Sequence, residues 1–367
     1  MTALPSAGSE RERLRAAFRR ADFQPIGFYL PPHRPLTVHS YPSGARGGST
    51  LELMVGVPGL VEHDTQEGPG KEPRTYPLNT GITRITDPLG GVLSVRYVVD
   101  GAGGTLPNSR VVVKLGAAAE PIPFYTTDNA DENRWRRTLD QTTSPYAQLV
   151  SARTIVTART TTIRSHVRQY PGAVLDAYDG IVGIEERISG LDGTSPTDRP
   201  TPLRHSVVEG TADSSPYAYD EIVSFPAGDD ARFWLTPAGL PQSWGAWHEI
   251  GHHHQQETWD WSAIEEVSVN LYALAVHQHH KGSEDSHGHA TVQEWEGAKA
   301  FLHKVRTEDL DYNRPLGEDE IYWCTVERLV MFEQLRVIFG ESFYRELHKI
   351  GRTRDDDVPD IDKQRSS

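Results

Sequence analysis

Apolar and polar positions alternate, in part, through much of the chain before residue 168, as they do in half-buried β-strands. Gly- and Pro-rich turns separate the alternating segments. The predicted strands cover residues 36–41, 50–57, 91–99, 110–115, 154–159 and 161–167. Together they predict an antiparallel, sandwich-like β region of about 130 residues, with a helix at residues 133–141 inside it.

After residue 171 the apolar spacing changes to the three- and four-residue period of amphipathic helices. The predicted helices cover residues 174–188, 243–252, 263–276, 292–306, 322–339 and 341–350, and residues 217–225 are predicted as an edge strand or a turn. The fold class is therefore α+β, with an antiparallel β-sandwich-like N-terminal region followed by a mainly helical region.

The predicted domain boundaries follow from the same change of pattern. Residues 1–22 form an N-terminal tail with a short charged helix, residues 23–168 the β-rich region, and residues 169–351 the helical region. Residues 352–367 form a polar tail, which we expect to be disordered because it has few apolar side chains.

The net charge of −14 argues against nucleic acid or an anionic membrane surface as a partner. The sequence has no run of 18 apolar residues and so predicts no transmembrane segment. Residues 1–20 contain no apolar stretch typical of a signal peptide, so three alternatives stay open: a cytoplasmic protein, one exported by a non-classical route, or a sequence given without its leader. Cys324 is the single cysteine, which excludes an internal disulfide.

The predicted helix at residues 243–252 carries a His-Glu-x-x-His pattern, in which His248 and His252 are four residues apart. Residues at this spacing lie on one helix face, about 6 Å apart along the axis, so the two imidazoles can share one Zn²⁺. Glu249 would lie beside the ion, where a general base takes a proton from the attacking water. Chance alone gives this pattern about 0.05 times per chain of this composition, so an exposed helix rich in His and Glu is the alternative.

A catalytic zinc site needs three protein ligands and one open position. The next predicted helix offers Glu266 and Glu265, and we prefer Glu266 because Asn270 follows one turn later on the same face. An amide there can orient a ligating histidine through its second ring nitrogen. Glu257 and Asp260 are closer in sequence but lie in the connecting segment, where rigid placement is less expected.

A second stretch, residues 277–289, contains five further histidines without regular spacing. This composition favours a solvated loop with weak affinity for divalent ions over a second metal site.

These residues resemble the enhancin-like zinc metallopeptidases, a gluzincin-type family with mucin-active members. The family pattern Trp-Gly-x-Trp-His-Glu-x-Gly-His stands here at residues 244–252, followed by Gln255 and by Glu-Val-x-x-Asn at residues 266–270. The resemblance covers roughly residues 23–350 and supports Glu266 over Glu265 as the third ligand. It implies a zincin-type catalytic domain and substrates that are O-glycosylated, mucin-like proteins.

The sequence thus predicts a zinc-dependent metalloendopeptidase with one Zn²⁺ per chain, held by His248, His252 and Glu266, with Glu249 as general base. Candidates for a second group that stabilises the transition state are His277, Tyr272 and Tyr322. The indoles that either pack around the site or stack on sugar rings are those of Trp244, Trp247, Trp259 and Trp261.

Two other functions fit the same residues. One is a catalytically weak component, such as part of a toxin, that binds glycoproteins. The other is a peptide or amide hydrolase of a biosynthetic pathway, which the absence of a signal peptide favours.

Overall fold

The computed structural model describes residues 1–44, 48–60, 73–99, 109–260, 264–281, 292–307, 321–340 and 342–353. Contacts within the chain divide it into two compact units. The first unit comprises residues 1–11, 18–180 and 201–246, and the second comprises residues 12–17, 181–200 and 247–367. The domain boundaries predicted from the sequence stay predictions. Residues 354–367, most of the tail that we expect to be disordered, lie outside the described residues.

The strands of the described residues all belong to the first unit. They are β1 (Leu4–Pro5), β2 (Phe23–Leu30), β3 (Pro35–Ser43), β4 (Ser49–Val55), β5 (Arg74–Pro77), β6 (Gly81–Thr86), β7 (Gly91–Val99), β8 (Arg110–Leu115), β9 (Glu120–Pro121), β10 (Phe124–Thr126), β11 (Tyr146–Val150), β12 (Thr154–Arg159), β13 (His205–Glu209), β14 (Tyr217–Tyr219) and β15 (Ile222–Phe225).

The α-helices continue through both units. They are α1 (Ala7–Leu14), α2 (Glu132–Gln141), α3 (Thr160–His166), α4 (Pro171–Ile188), α5 (Ala231–Trp234), α6 (Trp244–His252), α7 (Glu265–Ser268), α8 (Asn270–Lys281), α9 (Val292–Thr307), α10 (Ile321–Phe339) and α11 (Phe343–Thr353). In the described ranges, no helix combines the length and the apolar character needed to cross a membrane.

Two sheets of the first unit form the predicted sandwich-like region. One has the order β5-β4-β7-β2-β9, all antiparallel, with β1 beside β7 in parallel, and the other is the antiparallel sheet β6-β3-β8. Their inward side chains share one apolar core, in which Leu36 and Val38 of the smaller sheet meet Leu53 and Val95 of the larger one. Burial of both apolar faces is what stabilises two stacked sheets.

A third sheet has the order β10-β11-β12-β13-β15-β14 and mixes parallel with antiparallel pairs. All residues of its inner strand β13 are buried. Because both faces of this strand are covered, its sequence lacks the alternation of apolar and polar residues that predicts a half-buried strand. The predicted edge strand or turn at residues 217–225 is the antiparallel hairpin of β14 and β15.

The strand predicted at residues 161–167 is wrong, because this segment forms helix α3. Its run of Thr160, Thr161, Thr162 and Ile163 has the composition of a strand, but tertiary contacts override that preference. The carboxylate of Glu209 accepts hydrogen bonds from the backbone N–H of Arg159 at 2.7 Å and from the Thr162 hydroxyl at 2.8 Å. These bonds satisfy polar groups at the helix start, and the helix buries Ile163.

The second unit is helical, as predicted, and this arrangement confirms the α+β fold class. The predicted apolar face of residues 263–276 is buried, together with side chains of α10 and α11, in a cluster that contains Ile264, Val267, Leu271, Leu274, Leu329, Phe332 and Tyr344. Gln256, between α6 and α7, donates from Nε2 to the carbonyl of Leu14 at 3.1 Å and to that of His348 at 3.2 Å. This one amide therefore joins three distant parts of the sequence.

Candidate metal centre

Helix α6 presents the two predicted histidines on one face. The Ser243 hydroxyl accepts a hydrogen bond from the backbone N–H of Ala246 at 3.3 Å, which caps the start of the helix. One turn apart, the rings of His248 and His252 have centroids separated by 4.9 Å. The spacing in the sequence thus translates into two imidazoles at one position.

The structure brings Glu266 to these imidazoles. Its Oε2 lies 3.0 Å from Nε2 of His248 and 3.8 Å from Nε2 of His252. The three ligand atoms all lie within 4.8 Å of one another, and among the described residues no other three His, Cys, Asp or Glu side chains meet in this way.

The size and chemistry of this cluster suit a zinc ion. With bonds of about 2.0–2.2 Å, the ligand atoms of a tetrahedral zinc site lie roughly 3.4 Å apart, between the two distances of Glu266 to the imidazoles. Two nitrogen donors and one carboxylate form a ligand set that catalytic zinc sites use. The residues present therefore fit the metal that a metallopeptidase would hold.

The outer nitrogens of both imidazoles are engaged by side-chain amides. Nδ1 of His248 lies 2.9 Å from Oδ1 of Asn270, and Nδ1 of His252 lies 2.6 Å from Oε1 of Gln255. An amide oxygen only accepts, so each Nδ1 carries a hydrogen, and Nε2 is the nitrogen that each imidazole turns toward the shared ligand position.

The charges at the site favour cation binding near neutral pH. Burial, together with the positive charge of His248, lowers the pKa of His252 to about 4. The hydrogen bond from His248 lowers the pKa of Glu266 despite its desolvation. Burial lowers the pKa of His248, but the hydrogen bond to Glu266 and the charge of Glu249 outweigh it, and the pKa is raised overall. Of the three side chains, His248 is therefore the one whose proton competes most with a cation.

Glu249 lies beside the ligand cluster. Its side chain is buried, and its Oε2 is 4.0 Å from Nε2 of His252. Glu265, the alternative ligand from the sequence, is not among the three converging side chains. Burial and the charge of Glu266 raise the pKa of Glu265, which disfavours its ionised, metal-binding form.

Tyr272, a candidate transition-state stabiliser, is buried in the second unit. Its hydroxyl lies 2.7 Å from the carbonyl oxygen of His254 and 2.7 Å from Nε2 of His348, and burial raises its pKa well above the usual range. The ring of His277 lies 6.2 Å from that of Trp247. The side chain of Tyr322, the third candidate, lies outside the described part of the chain.

The predicted indole cluster divides into packed and exposed members. Trp247 is buried and stacks on His280, and Trp259 packs on Tyr344 and donates from Nε1 to Gln256. Trp244 is 40% exposed and is the most exposed of the described members of this cluster. Trp261 lies outside the described residues.

Sequence reasoning assigned no role to Gln255 and Ser268. Nε2 of Gln255 donates to the carbonyl of Glu265 and to Oγ of Ser268, both at 2.7 Å, and Ser268 donates to Oδ1 of Asp260 at 2.8 Å. The one signal in the sequence is the position of Gln255, three residues after the second histidine of the motif.

Two family models match the chain. Residues 118–365 match the family described as peptidase M60, enhancin and enhancin-like, and residues 5–107 match the N-terminal domain of M60-like peptidases. Among curated proteins, a TRPM8 channel-associated factor homolog of Xenopus laevis is 22% identical over 328 residues, which are 88% of this chain and 34% of that protein. The chain thus spans about a third of the length of this relative.

Two solved structures illustrate the likeness in fold. A conserved protein of unknown function from Bacillus anthracis str. Ames matches with a TM-score of 0.77 and 25% identity, covering 97% of this chain and 68% of that one. A metallopeptidase in complex with Tn antigen matches with a TM-score of 0.75 and 18% identity, covering 96% of this chain and 64% of that one. The described architecture is therefore similar to that of a solved metallopeptidase.

Proposed function

The chain belongs to the peptidase M60, enhancin and enhancin-like family, and on this basis we propose that it is a zinc-dependent metalloendopeptidase acting on O-glycosylated, mucin-like proteins. The observation that carries the proposal is the convergence of His248, His252 and Glu266 on one point. These side chains would hold the zinc, which when bound would polarise the scissile carbonyl and lower the pKa of water, so that the water loses a proton more easily and becomes a stronger nucleophile.

Glu249 is the residue that moves the proton in this proposal. Its carboxylate accepts a proton from the attacking water as the water oxygen forms a C–O bond, and then gives this proton to the nitrogen of the leaving amine as the C–N bond breaks. Support comes from its burial and from its position 4.0 Å from Nε2 of His252, adjacent to the ligands but outside them.

The substrate class has separate support. The metallopeptidase with a fold similar to that of this chain was solved in complex with Tn antigen. In this chain Trp244, at the start of α6, is 40% exposed four residues before His248. An exposed indole there would give a sugar ring a stacking surface near the scissile bond.

The test compares Glu249→Gln with the unchanged protein on a defined O-glycopeptide and on its unglycosylated twin. We expect the variant to keep one zinc per chain by metal analysis while hydrolysis of the glycopeptide falls about 10²- to 10⁴-fold, the usual contribution of a general base. Glu257→Gln, which alters an exposed carboxylate, is the matched control and should cleave normally.

Each outcome addresses a different part of the proposal. Equal cleavage by the Glu249→Gln variant would remove Glu249 as the base. Equal cleavage of the two peptides by the unchanged protein would remove the glycoprotein specificity but keep the peptidase.

A further inference from the structure

We propose that Gln255 is a positioning residue of the metal centre, which fixes the ring of His252 and ties it to the segment that carries Glu266. The proposal rests on the proposed zinc site. It assigns to this one amide two tasks, the choice of imidazole tautomer and the coupling of two elements that supply ligands.

The hydrogen-bond partners of Gln255 define which way its amide points. Nε2 has two acceptors at 2.7 Å, the carbonyl of Glu265 and Oγ of Ser268. The hydroxyl hydrogen of Ser268 is directed to Oδ1 of Asp260 at 2.8 Å, so Oγ can only accept from Gln255. Oε1 therefore faces His252, where at 2.6 Å it can only accept from Nδ1.

This orientation determines the tautomer of His252. With the hydrogen on Nδ1, the lone pair of Nε2 points toward the shared ligand position. His252, Gln255 and Ser268 are all buried, with exposures of 5%, 0% and 0%, so water cannot replace the missing partner if one of them is changed.

Asn270 makes the same connection for the other histidine. Its Oδ1 faces Nδ1 of His248 at 2.9 Å, and its Nδ2 donates to the carbonyl of Glu266 at 2.8 Å. The two amides thus donate to the carbonyls of Glu265 and Glu266. These carbonyls belong to the two peptide groups that flank the Cα atom of Glu266, the third ligand. In this way the two imidazoles and the carboxylate are fixed relative to one another before any ion binds.

A carboxylate could not perform both tasks of Gln255. Glutamate at this position would still accept from His252, but its second oxygen would face the carbonyl oxygen of Glu265 without a hydrogen between them. It could pair with Ser268 only if the hydroxyl hydrogen turned away from Asp260. A residue needed only as an acceptor would tolerate Gln255→Glu, whereas a residue that also couples the two elements would not.

The experiment measures zinc affinity by competition with a chromophoric chelator, with metal analysis of the purified holoprotein. Gln255→Met keeps the length of the side chain and removes its hydrogen bonds, and we expect a loss of about 10- to 100-fold in zinc affinity. Gln255→Glu should show a similar loss. Ser268→Ala, which cuts the next link and leaves His252 its partner, should lose about 3- to 10-fold.

Gln256→Met is the matched control, because Gln256 is equally buried but bonds to Leu14 and His348 instead of a ligand. We expect it to lower the unfolding temperature of the chelator-treated protein and to leave zinc affinity within about threefold, below the effect of one lost hydrogen bond at the site. Equal loss of affinity in the Gln255→Met and Gln256→Met variants would overturn the positioning role.

Unchanged affinity in Gln255→Met or full rescue by Gln255→Glu would also overturn it. If the Gln255→Met variant does not fold, the Ser268→Ala variant is the test. Normal zinc affinity in Ser268→Ala would contradict the coupling of His252 to the segment that carries Glu266. Failure of the unchanged protein to bind zinc would instead overturn the proposed function, and the positioning role with it.

Discussion

The three converging side chains differ sharply in their contact with solvent. The side chain of His252 is 6% exposed and that of His248 17% exposed, whereas that of Glu266 is 61% exposed. The carboxylate therefore forms the solvent side of the cluster and the imidazoles its inner wall. We expect an ion to enter past Glu266, with the histidines already fixed by their amides.

Glu266 and its neighbour Glu265 provide a matched pair for testing the third ligand. Glu266→Gln removes the charge from the cluster and should reduce zinc affinity by more than the roughly 10- to 100-fold that outer hydrogen-bond partners contribute. Glu265→Gln should keep near-normal affinity, since this side chain does not join the cluster. Chelator competition measures both, and the reverse order of the two variants would make Glu265 the ligand.

The sequence predicts the cluster of His248, His252 and Glu266 because regular helices place residues by spacing. His248 and His252 follow from the four-residue interval, and Glu266 is preferred because Asn270 follows it by one turn. Gln255 lies beyond the end of α6, where no periodic rule tells which way a side chain points. Its two anchors are known only from the folded structure.

At the scale of elements, α6 approaches the start of α8 closely enough to require a glycine. A Cβ atom at Gly251 would lie 3.1 Å from Cβ of Tyr272 and 3.2 Å from Cγ2 of Val269. Both neighbours are buried, so neither can move away freely. The glycine of the motif thus sets the distance between α6, which carries both histidines, and the start of α8, which carries Asn270.

Gly251→Ala should separate these elements. We expect it to lower the free energy of unfolding by about 1–3 kcal/mol, as overpacked cores do, and to weaken zinc binding as well. Urea unfolding in chelator measures the first effect and chelator competition the second. Gly183→Ala is the control, because a Cβ there meets nothing within 4 Å and the change lies inside helix α4. A stability equal to that of the unchanged protein would contradict the close packing at Gly251.

The sequence predicted one helix at residues 263–276, but the structure interrupts it at Val269, between α7 and α8. Gln255 donates to the carbonyl of Glu265, which also accepts from the backbone N–H of Val269 at 3.3 Å, and the side chain of Asn270 donates to the carbonyl of Glu266. Apolar periodicity predicts the buried face correctly but not these side-chain hydrogen bonds to the backbone. The interruption therefore coincides with the two amides that contact the histidines.

At the scale of the whole molecule, periodicity predicted the division into a β-rich and a helical region but not the mixed sheet. In that sheet β12 pairs with β13, and the residues between them include α3 and α4. Pairing over such a distance depends on long-range packing, and β13 is fully buried without alternation. Local patterns accordingly identified the elements of the sandwich better than those of this sheet.

The buried histidine His348 should make the folded protein sensitive to acid. Complete burial, opposed by a hydrogen bond to the carbonyl of Tyr344 and aided by the charge of Arg352, lowers the pKa of His348 to about 3. In the unfolded chain the pKa is about 6.5. The stabilisation is therefore complete above pH 6.5 and is lost as the pH falls toward 3, because only the unfolded chain takes up the proton.

His348→Gln tests this sensitivity, since glutamine can hydrogen-bond at the same place and does not titrate. Between pH 6 and 4 the free energy of unfolding of the unchanged protein should fall more steeply than that of the variant, by up to about 1.4 kcal/mol per pH unit. Urea unfolding at a series of pH values, in chelator throughout, gives both slopes. Parallel slopes would show that His348 does not titrate on unfolding.

The amide of Gln256 has a consequence for the order of events during translation. Its hydrogen bonds require the carbonyl of Leu14, 242 residues earlier in the chain, and the carbonyl of His348, 92 residues later. Until helix α11 has left the ribosome, Gln256 therefore lacks one of these partners. A nascent chain can fold its early sheets first, as N-terminal segments commonly do, but should complete the packing around Gln256 only after residue 348 has been released.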